Sequence, residues 1–156
     1  MVDGVINIRE LRIGNELLYK GEAVYVSFLS LDIDDEYQDL LGFVKHASSS
    51  GETMDWVRTL YPDIQPIPLT EEVLLACNFV KDNYGAFEIV GGDGKYVSGC
   101  KIDLWVKKCL VNDDWVWDIS IGEDVESTTN VCYIKYLHQL QNAYFVIHNK
   151  ELNYQP

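Results

Sequence analysis

Asp32-Ile33-Asp34-Asp35-Glu36 is the densest group of potential metal ligands in the chain. Its spaced carboxylates open like a calcium loop, in which oxygen ligands converge on a hard cation. Such a loop also needs glycine at its sixth position and a bidentate glutamate at its twelfth. Tyr37 and Phe43 stand at those places. The two most restrictive positions fail, so the run reads as a solvated acidic loop and no metal is assigned. Gly91-Gly92-Asp93-Gly94-Lys95 has the look of a phosphate cradle, but Ile89 and Tyr96 replace the first glycine and the Ser or Thr of a Walker loop. The segment also leads into a strand and not a helix N-terminus, so a hairpin turn is the better reading.

The histidines are His46, His138 and His148. His138 and His148 fall ten residues apart on one expected helix, about 80° apart in direction and about 15 Å in rise, and cannot share a metal. No G-x-S-x-G nucleophile elbow is present. Cys77, Cys100, Cys109 and Cys132 form no C-x-x-C pair, so zinc and dithiol redox sites lack support and buried reduced thiols are expected. No catalytic residue and no cofactor is assigned. The aromatics carry the recognition potential: Trp105, Trp115 and Trp117 lie on one expected hairpin, and Trp56 lies apart. Trp105 shares a strand face with Lys101, Asp103 and Lys107. That makes it a candidate exposed hot spot for a partner or a flat ligand. The alternative is a Trp105 that anchors a covering helix.

Charge narrows the partners. The 156 residues hold 12 Lys and Arg against 25 Asp and Glu, a formal net charge of −13. Gripping a phosphate backbone needs a basic stripe, so direct nucleic-acid binding is not expected. A basic membrane anchor is disfavoured for the same reason. No apolar run approaches the ~18 residues of a membrane span. Asp3, Arg9, Glu10 and Arg12 interrupt any signal-peptide core at the start, so cytoplasmic residence is expected. The excess is local, with five carboxylates in 32–39 and further clusters in 113–118 and 123–126. A basic partner is expected at those loops.

The elements that must position these groups are mostly extended. Length and a hydrophobic fraction of 47% fit one globular domain over 1–156. Leu17-Leu18-Tyr19 and residues 23–31 flank Lys20-Gly21-Glu22, a strand–turn–strand pattern. Residues 45–63, with Ser48-Ser49-Ser50-Gly51, read as a surface excursion. Residues 64–68 are extended, because each residue before a proline avoids the α region. Thr70 then caps a short helix ending near Asn78, with Glu71 and Glu72 in its first turn and Leu69 and Leu74 as a hydrophobic staple.

A β meander follows. Cys100, Ile102, Leu104 and Val106 alternate with Lys101, Asp103, Trp105 and Lys107, and Trp115, Trp117, Ile119 and Ile121 alternate with Val116, Asp118 and Ser120. This period of two marks a hairpin about Asn112-Asp113-Asp114. Tyr133, Leu137, Leu140, Tyr144 and Ile147 recur at helical spacing. They predict a C-terminal helix capped by Thr129 or Asn130. Its opposite face carries His138, Gln141 and Asn142, a candidate polar binding surface.

Three stretches carry a family resemblance. They are Leu11-Arg12-Ile13-Gly14-Asn15 with the Lys20-Gly21-Glu22 turn; Pro66-Ile67-Pro68-Leu69-Thr70-Glu71-Glu72 with Leu74-Leu75 and Phe79; and Ile134-Lys135-Tyr136-Leu137-His138-Gln139-Leu140-Gln141-Asn142-Ala143-Tyr144-Phe145 with Lys150-Glu151-Leu152. In these the chain resembles uncharacterised proteins common in phages and prophages of Bacteroides and related gut bacteria. The resemblance implies a phage context within a host cell and supplies no catalytic residues.

The sequence thus predicts an α+β fold: an antiparallel, barrel-like N-terminal unit, a short middle helix, a β meander and a C-terminal helix packed on the sheet. The expected function is binding of a host protein or a small ligand, of the kind that counters host defence. The alternative is a small hydrolase or transferase with a site assembled from distant residues. The candidate binding residues are Trp105, the acidic Asp32, Asp34, Asp35 and Glu36, and the polar His138, Gln141 and Asn142. Self-association through the Trp105 face stays open.

Overall fold

The structure, a computed structural model, describes residues 6–30, 40–45, 54–58, 64–89, 95–97, 100–122 and 128–155. The chain forms two compact units, Met1–Ile67 and Pro68–Pro156. The acidic run 32–39, His46, the serine segment 48–51, the glycine turn 91–94 and the acidic cluster 123–126 lie outside the described residues.

In the first unit, a 3-10 turn at Ile8–Glu10 precedes five strands: β1 (Glu16–Tyr19), β2 (Glu22–Ser30), β3 (Leu40–Lys45), β4 (Met54–Arg58) and β5 (Ile64–Pro66). They pair antiparallel in the order β4-β3-β2-β1-β5. The β1–β2 connection is a two-residue turn, with Lys20 at φ +52° and Gly21 at φ +82° between the paired Tyr19 and Glu22. Two left-handed residues match the twist of the flanking strands, and Gly21 adopts that conformation without a Cβ penalty. Before β1, the Gly14 N–H donates to the Val26 carbonyl and the Val26 N–H donates to Asn15, each at 2.8 Å. The buried Asn15 also accepts from the Arg12 N–H through Oδ1 at 2.8 Å. This satisfies backbone groups that a buried turn would otherwise strand.

Leu11, Leu17, Val24, Val26 and Ile64 make this unit's core, with Ile6, Tyr19 and Leu29 packed against it. Val24 and Val26 of β2 both face this core. A register shift between Val26 and Phe28 breaks the period of two beyond them, so that Leu29 also packs against it. The unit is an open sheet, so the barrel-like expectation is corrected: among the described residues its edges β4 and β5 do not pair. Three-residue β5 ends in Pro66, which has no N–H to donate to a closing strand. Within the stretch 45–63 read as an excursion, Met54–Arg58 pairs with β3 as a regular strand.

The second unit contains α1 (Glu71–Ala76), β6 (Phe79–Lys81), β7 (Ala86–Ile89), β8 (Lys95–Val97), β9 (Cys100–Val111), β10 (Asp114–Gly122), β11 (Thr129–Ile134) and α2 (Leu137–His148). The strands run antiparallel in the order β11-β10-β9-β7-β6, and β8 pairs with β9. Helix α1 starts as its sequence dictates. The Thr70 hydroxyl accepts from the Val73 N–H at 3.3 Å, and the staple residues Leu69 and Leu74 are both buried. The α+β class is therefore the observed one.

Helix α2 starts later than its apolar stripe suggests. Thr129 and Asn130, the expected caps, lie in β11, and so does Tyr133. Val131, Cys132, Tyr133 and Ile134 are β-branched, thiol and aromatic residues that fit a pleated surface. They add a strand to β10, with Ile134 opposite Trp117. Tyr136 takes the N-cap position with extended backbone, and the Gln139 side chain reaches back to accept from the Lys135 and Tyr136 N–H groups at 2.9 and 3.3 Å. At the far end Asn149, at φ +54°, closes the helix through its N–H to the Phe145 carbonyl at 2.7 Å. No helix among the described residues is long and apolar enough to cross a membrane.

Both helices begin beside Trp117. Its indole N–H donates to the Leu69 carbonyl at 2.7 Å, and the Leu69 N–H donates to the Lys135 carbonyl at 2.8 Å. Phe87 meets the Trp117 ring edge to face at a centroid distance of 5.9 Å. Phe79, Phe87, Leu104, Val106, Trp117, Ile119 and Ile134 share this sheet face by register. All are buried, as are Val73, Leu74, Leu137, Leu140 and Tyr144 on the helices. Full burial of each such side chain stabilises by ~1.5–3 kcal/mol, which makes this layer the unit's core.

Candidate functional site

A two-residue turn ends the β9–β10 hairpin. Asn112 and Asp113 sit at φ +51° and +66° between the paired Val111 and Asp114. Both side chains tolerate the left-handed region, and that turn type fixes the register of the strands. The register sets Trp115 directly opposite Leu110. Strand parity then puts both side chains on the face of Trp117, one step nearer the tip. Trp115 is 63% exposed and Leu110 55%. The Lys108 ammonium lies 5.5 Å from the Trp115 ring centroid and 5.8 Å from that of Trp117. It bridges the buried ring and the exposed one.

Charge surrounds this apolar pair. Asp113 and Asp114 are exposed in the turn, and Lys135 pairs with Asp114 at 3.2 Å. An exposed pair of this kind stabilises the fold by only about 0.2–1 kcal/mol, so both groups remain available to an incoming partner. The Glu72 carboxyl is held below its ordinary value of 4.5, chiefly by a backbone N–H at the helix start, then by the Thr70 hydroxyl, with Lys108 adding its charge. The result is a large aromatic and a leucine ringed by carboxylates and ammonium groups. An apolar centre within a charged rim is an arrangement that protein interfaces share.

Trp105 is not that exposed residue. It sits in the middle of β9, on the opposite face from Trp117, and is 8% exposed. β9 runs between β10 and β7 and is buried on both faces from Asp103 to Val106. A polar alternation in sequence therefore does not mark a solvated face there. Three tryptophans on one hairpin were legible, but their exposure depends on how far along the strands the covering layers reach.

The polar face of α2 is largely buried. His138 is 2% exposed and Gln141 1%, while Asn142 is half-buried. The chain after α2 folds back over this face: Gln141 Nε2 donates to the Leu152 carbonyl at 3.4 Å, and the Gln155 N–H donates to the Ala76 carbonyl at 3.2 Å. His138 stacks on Tyr136 at 5.8 Å between centroids. These groups tie α2 and the C-terminal segment together. Asp32, Asp34, Asp35 and Glu36 lie outside the described residues.

The free thiols do not suit nucleophilic chemistry. Cys109 and Cys132 flank Asp118 on neighbouring strands. Burial first, and the Asp118 charge second, push both above the ordinary thiol value of 9.0. Reactive cysteines need the reverse. Among the described residues no cluster of three His, Cys, Asp or Glu side chains could hold a metal ion. No known family, curated protein or solved structure matches the chain.

Proposed function

We propose that this chain is a phage-type accessory protein that acts by docking a basic host protein on its Trp115 tip. The observation that carries the reading is the exposed Trp115–Leu110 pair at the tip of the β9–β10 hairpin, beside the buried Trp117. Interface energy concentrates in such aromatic anchors when a polar rim excludes water around them. The net charge of −13 favours a basic partner, because the summed field speeds its approach and repels acidic competitors. The phage setting rests on the resemblance of the three sequence stretches. Inhibition of a host defence protein is the role that a binding protein of this size and setting fits.

The test uses the full chain as bait in lysate of a Bacteroides host, followed by titration of the captured protein. Trp115→Ala should weaken binding about thirtyfold or more, the loss expected of a hot-spot residue. Val146→Ala removes a still more exposed apolar side chain on α2 and should leave binding unchanged. Equal loss with both variants, or with neither, would count against the reading.

A further inference from the structure

Sheet edges expose rows of backbone N–H and C=O groups, and proteins guard them with charge, proline or brevity. β5 is three residues long and ends in Pro66. β6 is equally short and carries Lys81, paired with Glu71 at 2.7 Å. β4 contains Asp55 and Arg58. β11 differs: Thr129-Asn130-Val131-Cys132-Tyr133-Ile134 contains no charge and no proline, and three of its residues are β-branched. It is the last strand of its sheet, and among the described residues no strand pairs with its outer side. Val131 is 49% exposed and Tyr133 52%. The edge is covered past Ile134, where the Leu69 N–H donates to the Lys135 carbonyl and Pro68 bridges Tyr136. Its one irregularity is a bulge: Val131 stands opposite no β10 residue, between Asn130 facing Ser120 and Cys132 facing Ile119.

We propose that β11 is a self-association edge, to which a second copy of this chain adds its own β11 antiparallel about a two-fold axis. Charge decides the occupant. A basic strand would set Lys or Arg beside six uncharged side chains, none of which can form an ion pair. The carboxylate behind them, Asp118 opposite Tyr133, already accepts from the Ser120 hydroxyl and from Asn130 Nδ2, each at 2.7 Å. An acidic strand would meet the repulsion of a chain at −13. A neutral strand rich in β-branched residues fits, and β11 is itself such a strand. Two-fold pairing sets its residues against one another, so no like charges meet directly. Three strand spacings keep the two Asp118 residues about 14 Å apart, beyond the ~8 Å screening length at physiological salt. A six-residue strand with a bulge buries little surface. The dimer is therefore weak, with a dissociation constant of about 0.1–1 mM. It does not depend on the Trp115 tip.

Sedimentation equilibrium of the full chain tests this, over about 10 μM to 1 mM protein at low and high salt. A monomer–dimer equilibrium is expected. It should tighten as salt rises, because each copy carries −13. Tyr133→Lys removes both tyrosines from the junction and brings like charges to it, and should weaken the dimer about tenfold or more. Val131→Lys should act in the same direction and carries the test if Tyr133→Lys fails to fold. Trp115→Ala should leave the dimer unchanged, which separates this edge from association through the hairpin tip. A monomer throughout the range would overturn the proposal, as would species larger than a dimer. So would a dimer lost in Trp115→Ala, or one that the folded lysine variants form as tightly as the wild type.

Discussion

Trp117 and Trp115 stand two residues apart on β10, share a face, and share Lys108 above their rings. One is buried, hydrogen-bonded to the Leu69 carbonyl and wedged against Phe87. The other is 63% exposed. Residue type, strand and face are the same, so position relative to the cover makes the difference. Both helices start beside Trp117, and the hairpin runs on past them. The middle of the hairpin therefore builds the fold, and its tip leaves the same kind of side chain exposed to solvent.

The contrast breaks first at the buried ring. Trp117→Ala should cost about 3–5 kcal/mol of stability through the cavity it leaves, read as a shift of the urea unfolding midpoint. Trp117→Phe keeps most of the volume but strands the Leu69 carbonyl, and should cost about 1–3 kcal/mol. Trp115→Ala should move the midpoint by less than about 0.5 kcal/mol while abolishing most partner binding. A Trp115 variant as unstable as the Trp117 variant would erase the distinction between middle and tip.

Smaller effects sharpen it. Thr70→Ala removes the cap of the helix that begins beside Trp117, and should cost about 1 kcal/mol. It should also raise the Glu72 pKa part of the way back toward 4.5, since the Thr70 hydroxyl is the second cause of its depression and the backbone N–H persists. A carboxyl NMR titration reads this directly. Because the folded value is depressed, the Glu72 contribution is present above pH 4.5 and is lost as pH falls through the folded value.

The thiols give the opposite sign. Cys109 and Cys132 have raised values, so their contribution is whole below pH 9.0 and is lost as pH rises toward the folded values. Alkylation by iodoacetamide at neutral pH should be slower in the folded protein than in urea. Equal rates would contradict the burial of the sheet that holds them.

How much of this was legible in the sequence follows from the range of the forces involved. The β1–β2 turn at Lys20-Gly21, the Thr70 cap and the β9–β10 alternation depend on neighbours in the chain, and all three stand in the structure. The start of α2 depends on something distant. Tyr133 falls four residues before Leu137 and extends a helical stripe on paper, but pairing of residues 129–134 with β10 outweighs it. Strand β4 was hidden in the same way, since its partner β3 supplies the hydrogen bonds that its own composition does not announce. At the site, the sequence pointed to tryptophans on one hairpin and left Trp105 between an exposed hot spot and a covered anchor; it is buried, and Trp115 is the exposed one. A period of two tells which residues share a face, but not where the helices covering that face stop.

The central claim is that the hairpin tip docks a basic partner while the middle holds the fold, and affinity measured across the two tryptophans tests it most directly. The full chain, Trp115→Ala and Trp117→Phe would be titrated against the captured host protein at two salt concentrations, with folding verified for each. The account predicts a loss of about thirtyfold or more for Trp115→Ala alone, and weaker binding for all three at higher salt. Undiminished affinity in a folded Trp115→Ala protein would contradict it.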